Sequence, residues 1–217
     1  MENFIKKIRE DLNRHIPLSD EFYTALNRYL FLKKRKRREI ISSPDQKRKC
    51  SLYICQGYVG VYKLQHGKEF LILVFKENNL VHDWIKYSSE PDSQILVKAI
   101  TDTVYLEFSL SDLRFLILRH PETFNLILVL NHRIQVATYH FLELIRKEFI
   151  YGYSAFCHCF PGIQGYLNYS DWASLFSTST RTVGRVLSQK PKAKYPSSKR
   201  GGRGQRGNGT SMASPRL

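Results

Sequence analysis

Between residues 52 and 108 the chain places five short apolar runs, at 52–56, 58–64, 69–75, 94–99 and 103–108, all rich in Val, Ile, Leu, Phe and Tyr. Gln56-Gly57, Gln65-His66-Gly67 and the polar stretch 88–93 punctuate them. Strand-length runs at this spacing specify a β-sandwich or a small barrel. The clearest hairpin joins 58–64 to 69–75, where Gly67 can adopt the positive φ that a tight turn demands. Two helices precede the strands, at 2–14 and 19–30, with Ser19 as the N-cap of the second. A β core to about Ser109 is therefore expected, and everything beyond it reads as helical.

Residues 121–149 read as one long helix that opens on Pro121, a residue suited to a first helical turn. Ile127, Ile134 and Phe141 recur every seven residues, and Leu130, Ala137 and Leu144 follow three places later. That spacing is an a/d seam, the signature of a two-helix dimer interface; the same spacing also suits a helix packed on its own domain. Phe124, Leu128, Val136, Leu142 and Ile145 add apolar surface on other faces, so one helix can serve both purposes.

The segment 170–187, SDWASLFSTSTRTVGRVL, reads as two short helices joined by a polar turn. Trp172, Ala173, Leu175 and Phe176 give the first an apolar side; Val183, Val186 and Leu187 do so for the second. Ser177, Thr178, Ser179 and Thr180 are turn and N-cap types. This is the plan of a helix-turn-helix, whose second helix enters the DNA major groove by its N-terminal end. The groove-facing candidates are Thr180, Arg181 and Arg185, one turn apart, with Ser179 and Thr182 available to phosphates.

Charge agrees with a polyanion partner. The 217 residues carry a formal net charge of +15, with an apolar fraction of 42% that suffices for a core. Residues 190–217 hold Lys190, Lys192, Lys194, Lys199, Arg200, Arg203, Arg206 and Arg216 and no acid; rich in Gly, Ser and Pro, they read as a disordered basic tail. Such a tail strengthens nucleic-acid binding by counterion release without reading sequence. A second cationic run, Lys33 to Arg38, reads as a solvated surface feature.

Other chemistries find little support. Cys50, Cys55, Cys157 and Cys159 do not form a disulfide framework in a chain this long, and the Cys157-His158-Cys159 trio lacks a second ligand pair at zinc spacing, so no metal or other cofactor is expected. Gly-x-Ser-x-Gly, Walker and His-Glu-x-x-His motifs do not occur, and the chain is not expected to be an enzyme. Early charges interrupt any signal peptide, and no run reaches the ~18 apolar residues of a membrane span, so a cytoplasmic protein without membrane partners is expected.

The order of these pieces resembles the Crp/Fnr family of bacterial transcription regulators. The resemblance rests on HIPLSD at 15–20, on LYICQGYVGVYKLQHGKEFLILVF at 52–75 with Gly57 and Gly60, on LVKAITDTVYLEFSLSDLRFLI at 96–117, and on TVGRVL at 182–187. It implies an α+β chain: an N-terminal double-stranded β-helix or β-roll of cyclic-nucleotide-binding type (1–120), a long dimerisation helix (121–149), a helix-turn-helix DNA-binding domain (150–189) and the basic tail (190–217). It also implies a homodimeric, DNA-binding transcriptional regulator; the alternative is an effector-sensing or protein-interaction module on the same fold that binds no DNA. By the same resemblance Lys33–Arg38 lies at the first strand of the roll, far from the DNA-reading unit.

Members that bind cyclic AMP hold its phosphate with a Gly-Glu pair and a following Arg. The matching stretch here, 76–97, contains neither Gly nor Arg; Lys76, His82 and Lys86 are its candidate cations for an effector. Lys lacks the planar bidentate fork of Arg, so a different effector, or none, is expected. Two further departures stand out. Arg181 occupies a position where the family often has an acid, and SQKPKAKYPSSKRGG follows Leu187 where a β-hairpin wing is common.

Overall fold

The computed structural model describes residues 2–45, 50–82 and 94–189. Helices α1 (Glu2–Asn13) and α2 (Asp20–Asn27) lead into eight strands: β1 (Phe31–Arg35), β2 (Ile40–Ser42), β3 (Cys50–Gln56), β4 (Val59–Gln65), β5 (Lys68–Phe75), β6 (Leu80–His82), β7 (Ile95–Ala99) and β8 (Thr103–Ser109). Then come α3 (Leu110–Arg119), α4 (Glu122–Ile145), α5 (Phe149–Cys159), a single 3-10 turn at Ile163–Gly165, α6 (Tyr169–Leu175) and α7 (Thr180–Gln189). Ser19 caps α2 as expected, accepting from the Phe22 amide at 3.1 Å.

The strands form two four-stranded antiparallel sheets, ordered β1-β8-β3-β6 and β2-β7-β4-β5, and neither sheet closes on itself. The β4–β5 hairpin turns on His66 (φ 51°) and Gly67 (φ 72°), two consecutive positive φ values of the kind that match the twist of a hairpin. The apolar runs mark none of β1, β2 and β6, and only the resemblance places Lys33–Arg38 at a first strand; the reasons are physical. β1 is a sheet edge that carries Lys33, Lys34 and Arg35, and β2 and β6 are three residues each.

Side-chain alternation sorts the core into three layers. Leu52, Ile54, Val61 and Val97 point between the sheets. Tyr53, Cys55 and Leu106 point the other way, against α1, α2, α3 and the first half of α4. Tyr62, Leu71 and Leu96 meet the last part of α4 and the helices after it. β3 is buried on both faces, which is why it reads as a continuous apolar run rather than an alternating one.

The helix expected over 121–149 stops at Ile145. Glu148 is extended (φ −52°, ψ 142°), and α5 starts at Phe149, whose ring sits 5.1 Å from Phe176 and 6.0 Å from Trp172. The break lets Phe149 join the terminal aromatic cluster. No helix among the described residues is long and apolar enough to cross a membrane.

Candidate nucleic-acid interface

α6 and α7 owe their limits to local capping. Asn168 and Asp171 form a reciprocal box: the Asp171 amide donates to Asn168 Oδ1 at 2.9 Å, and the Asn168 amide donates to Asp171 Oδ2 at 3.0 Å. Ser177 takes a positive φ of 49° and ends the first helix. Ser179 starts the second, its Oγ accepting from the Thr182 amide at 3.1 Å while its carbonyl accepts from Val183. Its hydroxyl also pairs with Thr182 Oγ1 at 3.0 Å, so these two residues are engaged in holding the turn.

α7 is strongly two-sided. Val183 is fully buried and Val186 nearly so, and Leu187 packs against the same cluster. Arg181 and Arg185 are exposed on the opposite side, and Thr180 is exposed at the helix start. The buried side rests on Trp172, Leu175 and Phe176 of the preceding helix region. Burying a side chain of this size stabilises by ~1.5–3 kcal/mol, so the pair is held as a unit.

That unit is docked on the second sheet. Ser174 Oγ donates to the Leu71 carbonyl of β5 at 3.0 Å, and Tyr58 Oη donates to the Pro161 carbonyl at 2.9 Å. Burial pushes the Asp171 carboxyl above the usual carboxylate range; Glu69 adds to the rise, and the Asn168 amide, Lys98 and Arg38 oppose it.

Arg38 belongs to the run Lys33–Arg38, expected far from this unit. The structure corrects that expectation. β1 and β2 are the edges of different sheets, and their connection carries Arg37 and Arg38 to the start of the terminal helices. Arg37 donates through Nη2 to the Tyr166 carbonyl at 3.1 Å and lies 5.0 Å over the Tyr166 ring. Nothing local in the sequence announces a contact between residues 129 positions apart.

The heptad seam is largely committed to its own chain. Phe141 is buried, edge-on to Phe156 at 5.8 Å and to Phe160 at 6.2 Å, and Leu144 packs on the same cluster. Ile127, Leu130 and Ile134 line a cavity of about 120 Å³ facing α1 and α2, and only Ala137 of the six is exposed. Seven-residue spacing cannot distinguish a partner's core from the chain's own. The exposed apolar side of α4 is instead Phe124, Leu128, Val136 and Tyr139, at 58%, 53%, 40% and 59% exposure.

Of the effector candidates, Lys76 lies at a cleft of about 220 Å³ between β5, α4 and α5. Its Nζ already donates to the Cys159 carbonyl at 3.0 Å and sits 5.6 Å from the Phe160 ring centre. His82 ends β6, and Lys86 falls outside the described residues, as do the basic tail and the expected position of a wing. Among the described residues no group of three His, Cys, Asp or Glu side chains is placed to hold a metal ion.

No family model matches the sequence, and no curated protein matches it. Solved structures do. The c-di-GMP-responsive global regulator CLP of Xanthomonas campestris aligns with a TM-score of 0.60 at 13% identity, over 79% of this chain and 91% of that one. A cyclic-nucleotide-binding-domain-containing protein of Listeria monocytogenes gives 0.58 at 16% identity, over 86% and 89%. FixK2 of Bradyrhizobium japonicum gives 0.56 at 20% identity, over 74% and 83%. At these identities the likeness is one of fold alone: a roll of the cyclic-nucleotide-binding-domain kind, open, made of two four-stranded sheets and followed by helices.

Proposed function

We propose that this chain is a cytoplasmic DNA-binding transcriptional regulator of the Crp/Fnr type, not an enzyme, acting as a homodimer on a two-fold site. The observation that carries the reading is the two-sidedness of α7: Val183 and Val186 are locked inward while Arg181 and Arg185 project outward one turn apart. In a helix-turn-helix that exposed side, near the start of the second helix, reads base edges. Guanidinium groups there favour guanine O6 and N7.

The dimer contact in this reading runs along Phe124, Leu128, Val136 and Tyr139. Domain limits near 120, 149 and 189 separate the roll, the dimer helix and the reading unit. Cyclic AMP is not the effector in this reading, because residues 76–97 lack the Arg and Gly that a phosphate clamp of that kind needs.

In vitro selection of duplexes bound by the purified protein tests the proposal. The expected product is a two-fold site with half-sites about one helical turn apart, bound in a salt-sensitive manner. Absence of any enriched site removes the reading. Titration calorimetry with cyclic AMP is expected to show no binding, and micromolar affinity overturns that part alone.

A further inference from the structure

The cationic corner between β1 and β2 faces the same unit as the proposed reading helix. Lys36 and Arg38 are exposed there, and among the described residues neither is ion-paired with a carboxylate; Lys34, also exposed, is registered with Val104 and lies on the side of β1 that faces α1 and α2. The acids nearby are turned to the backbone: Glu39 Oε2 accepts from the Lys36 amide at 3.0 Å, and Asp102 Oδ1 accepts from the Arg37 amide at 2.9 Å. These bonds fix the main chain and leave the side-chain charge unneutralised. The corner is further braced where the Arg38 amide donates to the Ala99 carbonyl at 2.7 Å and the Ala99 amide donates to the Glu39 carbonyl at 3.0 Å.

Its position is also fixed relative to the terminal helices. Arg37 grips Tyr166, three residues before α6, and Arg38 is close enough to Asp171 in the first turn of α6 to act on its carboxyl. In a helix-turn-helix the first helix crosses the DNA backbone. A rigid, unneutralised cationic corner beside that helix has one chemically matched neighbour, the phosphates that flank the segment being read.

We propose that Lys36 and Arg38 form a second DNA contact, built on the roll, that binds backbone phosphates beside the duplex segment read by α7. This rests on the DNA-binding reading above and extends it: the roll itself touches DNA, and Arg37 is the positioning residue that couples the two surfaces. The contact carries charge without base preference, so it contributes affinity rather than specificity.

The experiment compares the wild-type chain with Lys36→Gln on two duplexes, one trimmed to the selected site and one with long flanks. Arg38 stays unchanged because its φ of 71° and its place beside Asp171 make substitution a structural change. An Arg14→Gln/Arg28→Gln variant removes two exposed charges from the N-terminal helices and controls for net charge. Thermal melting confirms that each variant folds. On the long duplex, the slope of log affinity against log salt is expected to be shallower by about 0.9 for Lys36→Gln, the value for one phosphate contact. On the trimmed duplex that variant should match the wild type, and the selected base sequence should be unchanged on both.

An unchanged slope on the long duplex overturns the inference while leaving the reading helix in place. An equal loss from Arg14→Gln/Arg28→Gln overturns it too, because the effect is then one of net charge. A wild-type chain that binds neither duplex removes the DNA-binding reading and this inference with it.

Discussion

Arg133, in the middle of α4, donates through both terminal nitrogens to Asp11 of α1, Nη1 to Oδ2 at 3.0 Å and Nη2 to Oδ1 at 3.4 Å. Tyr53 Oη donates to the same carboxylate at 2.9 Å, and Arg133 Nη2 also reaches the Asn78 carbonyl at 3.1 Å. One guanidinium thus ties the long helix to the N-terminal helix and to the β5–β6 turn. Asp11 is 7% exposed, so removing its partner strands a carboxylate. Arg133→Ala is expected to cost about 2–3 kcal/mol in urea unfolding, the lower end of the range for buried pairs because Arg133 is partly open to water. The double variant Asp11→Ala/Arg133→Ala should cost less than the two single variants added together. Strict additivity would show that the pair is not coupled.

Arg181 and Arg185 offer a change of preference rather than a simple loss. Arg185→Ala should relax selection at its base position by ~1–3 kcal/mol while leaving non-specific, salt-driven binding nearly intact. Arg181→Glu replaces a donor to guanine with an acceptor for cytosine N4, so the selected base at that position should move from guanine toward cytosine. Selection profiles of the three proteins measure both. Identical profiles would remove these side chains from the interface.

The elements that could be read from sequence are those whose signals are local. Capping types around residues 168–180, the alternation of β4 and β5 and the His66-Gly67 turn all act within a few residues. β1 was placed only by the resemblance, because an edge strand bearing three consecutive cations lacks the apolar content that marks a strand. The heptad seam runs along a face of α4 that the rest of the chain largely covers. Phe141 obeys the spacing of a partner contact yet is enclosed by Phe156 and Phe160 of its own chain. The placement of Arg37 against Tyr166 could not be read at all, since it follows from how two sheets stack and where the chain returns after α5.

Gly152 is a position where packing leaves no room for a side chain. A Cβ there would lie 2.4 Å from Phe176 Cε1 and 2.9 Å from the Leu144 carbonyl oxygen. The ring cannot yield freely, because Phe176 is held among Phe149, Phe156 and Trp172. Gly152→Ala should therefore destabilise by about 1–3 kcal/mol even though alanine favours helices. Loosening is expected first in α5 and α6, and amide exchange should show reduced protection there before the sheets respond. A stabilised variant would mean that the aromatic cluster repacks without cost.

The core also sets a response to alkaline pH. Burial pushes the Cys55 thiol up to about 11 from 9.0, a rise that the nearby Lys7 charge only partly opposes. Burial raises Tyr53 and Tyr62 as well; the Asp11 carboxylate adds to the first, and Asp171 and Glu69 add to the second. All three groups hold their protons more tightly folded than unfolded. Their contribution is complete below the unfolded values, near pH 9 for the thiol and near pH 10 for the phenols, and falls as the unfolded chain ionises and the native chain does not. Between about pH 9 and pH 11 Cys55 alone should remove about 2–3 kcal/mol of stability. Urea midpoints measured from pH 7 to pH 11 should decline above pH 9, and Cys55→Ala should decline less steeply over that window. Parallel curves for the two proteins would show that the thiol is already ionised, or already solvated, in the native state.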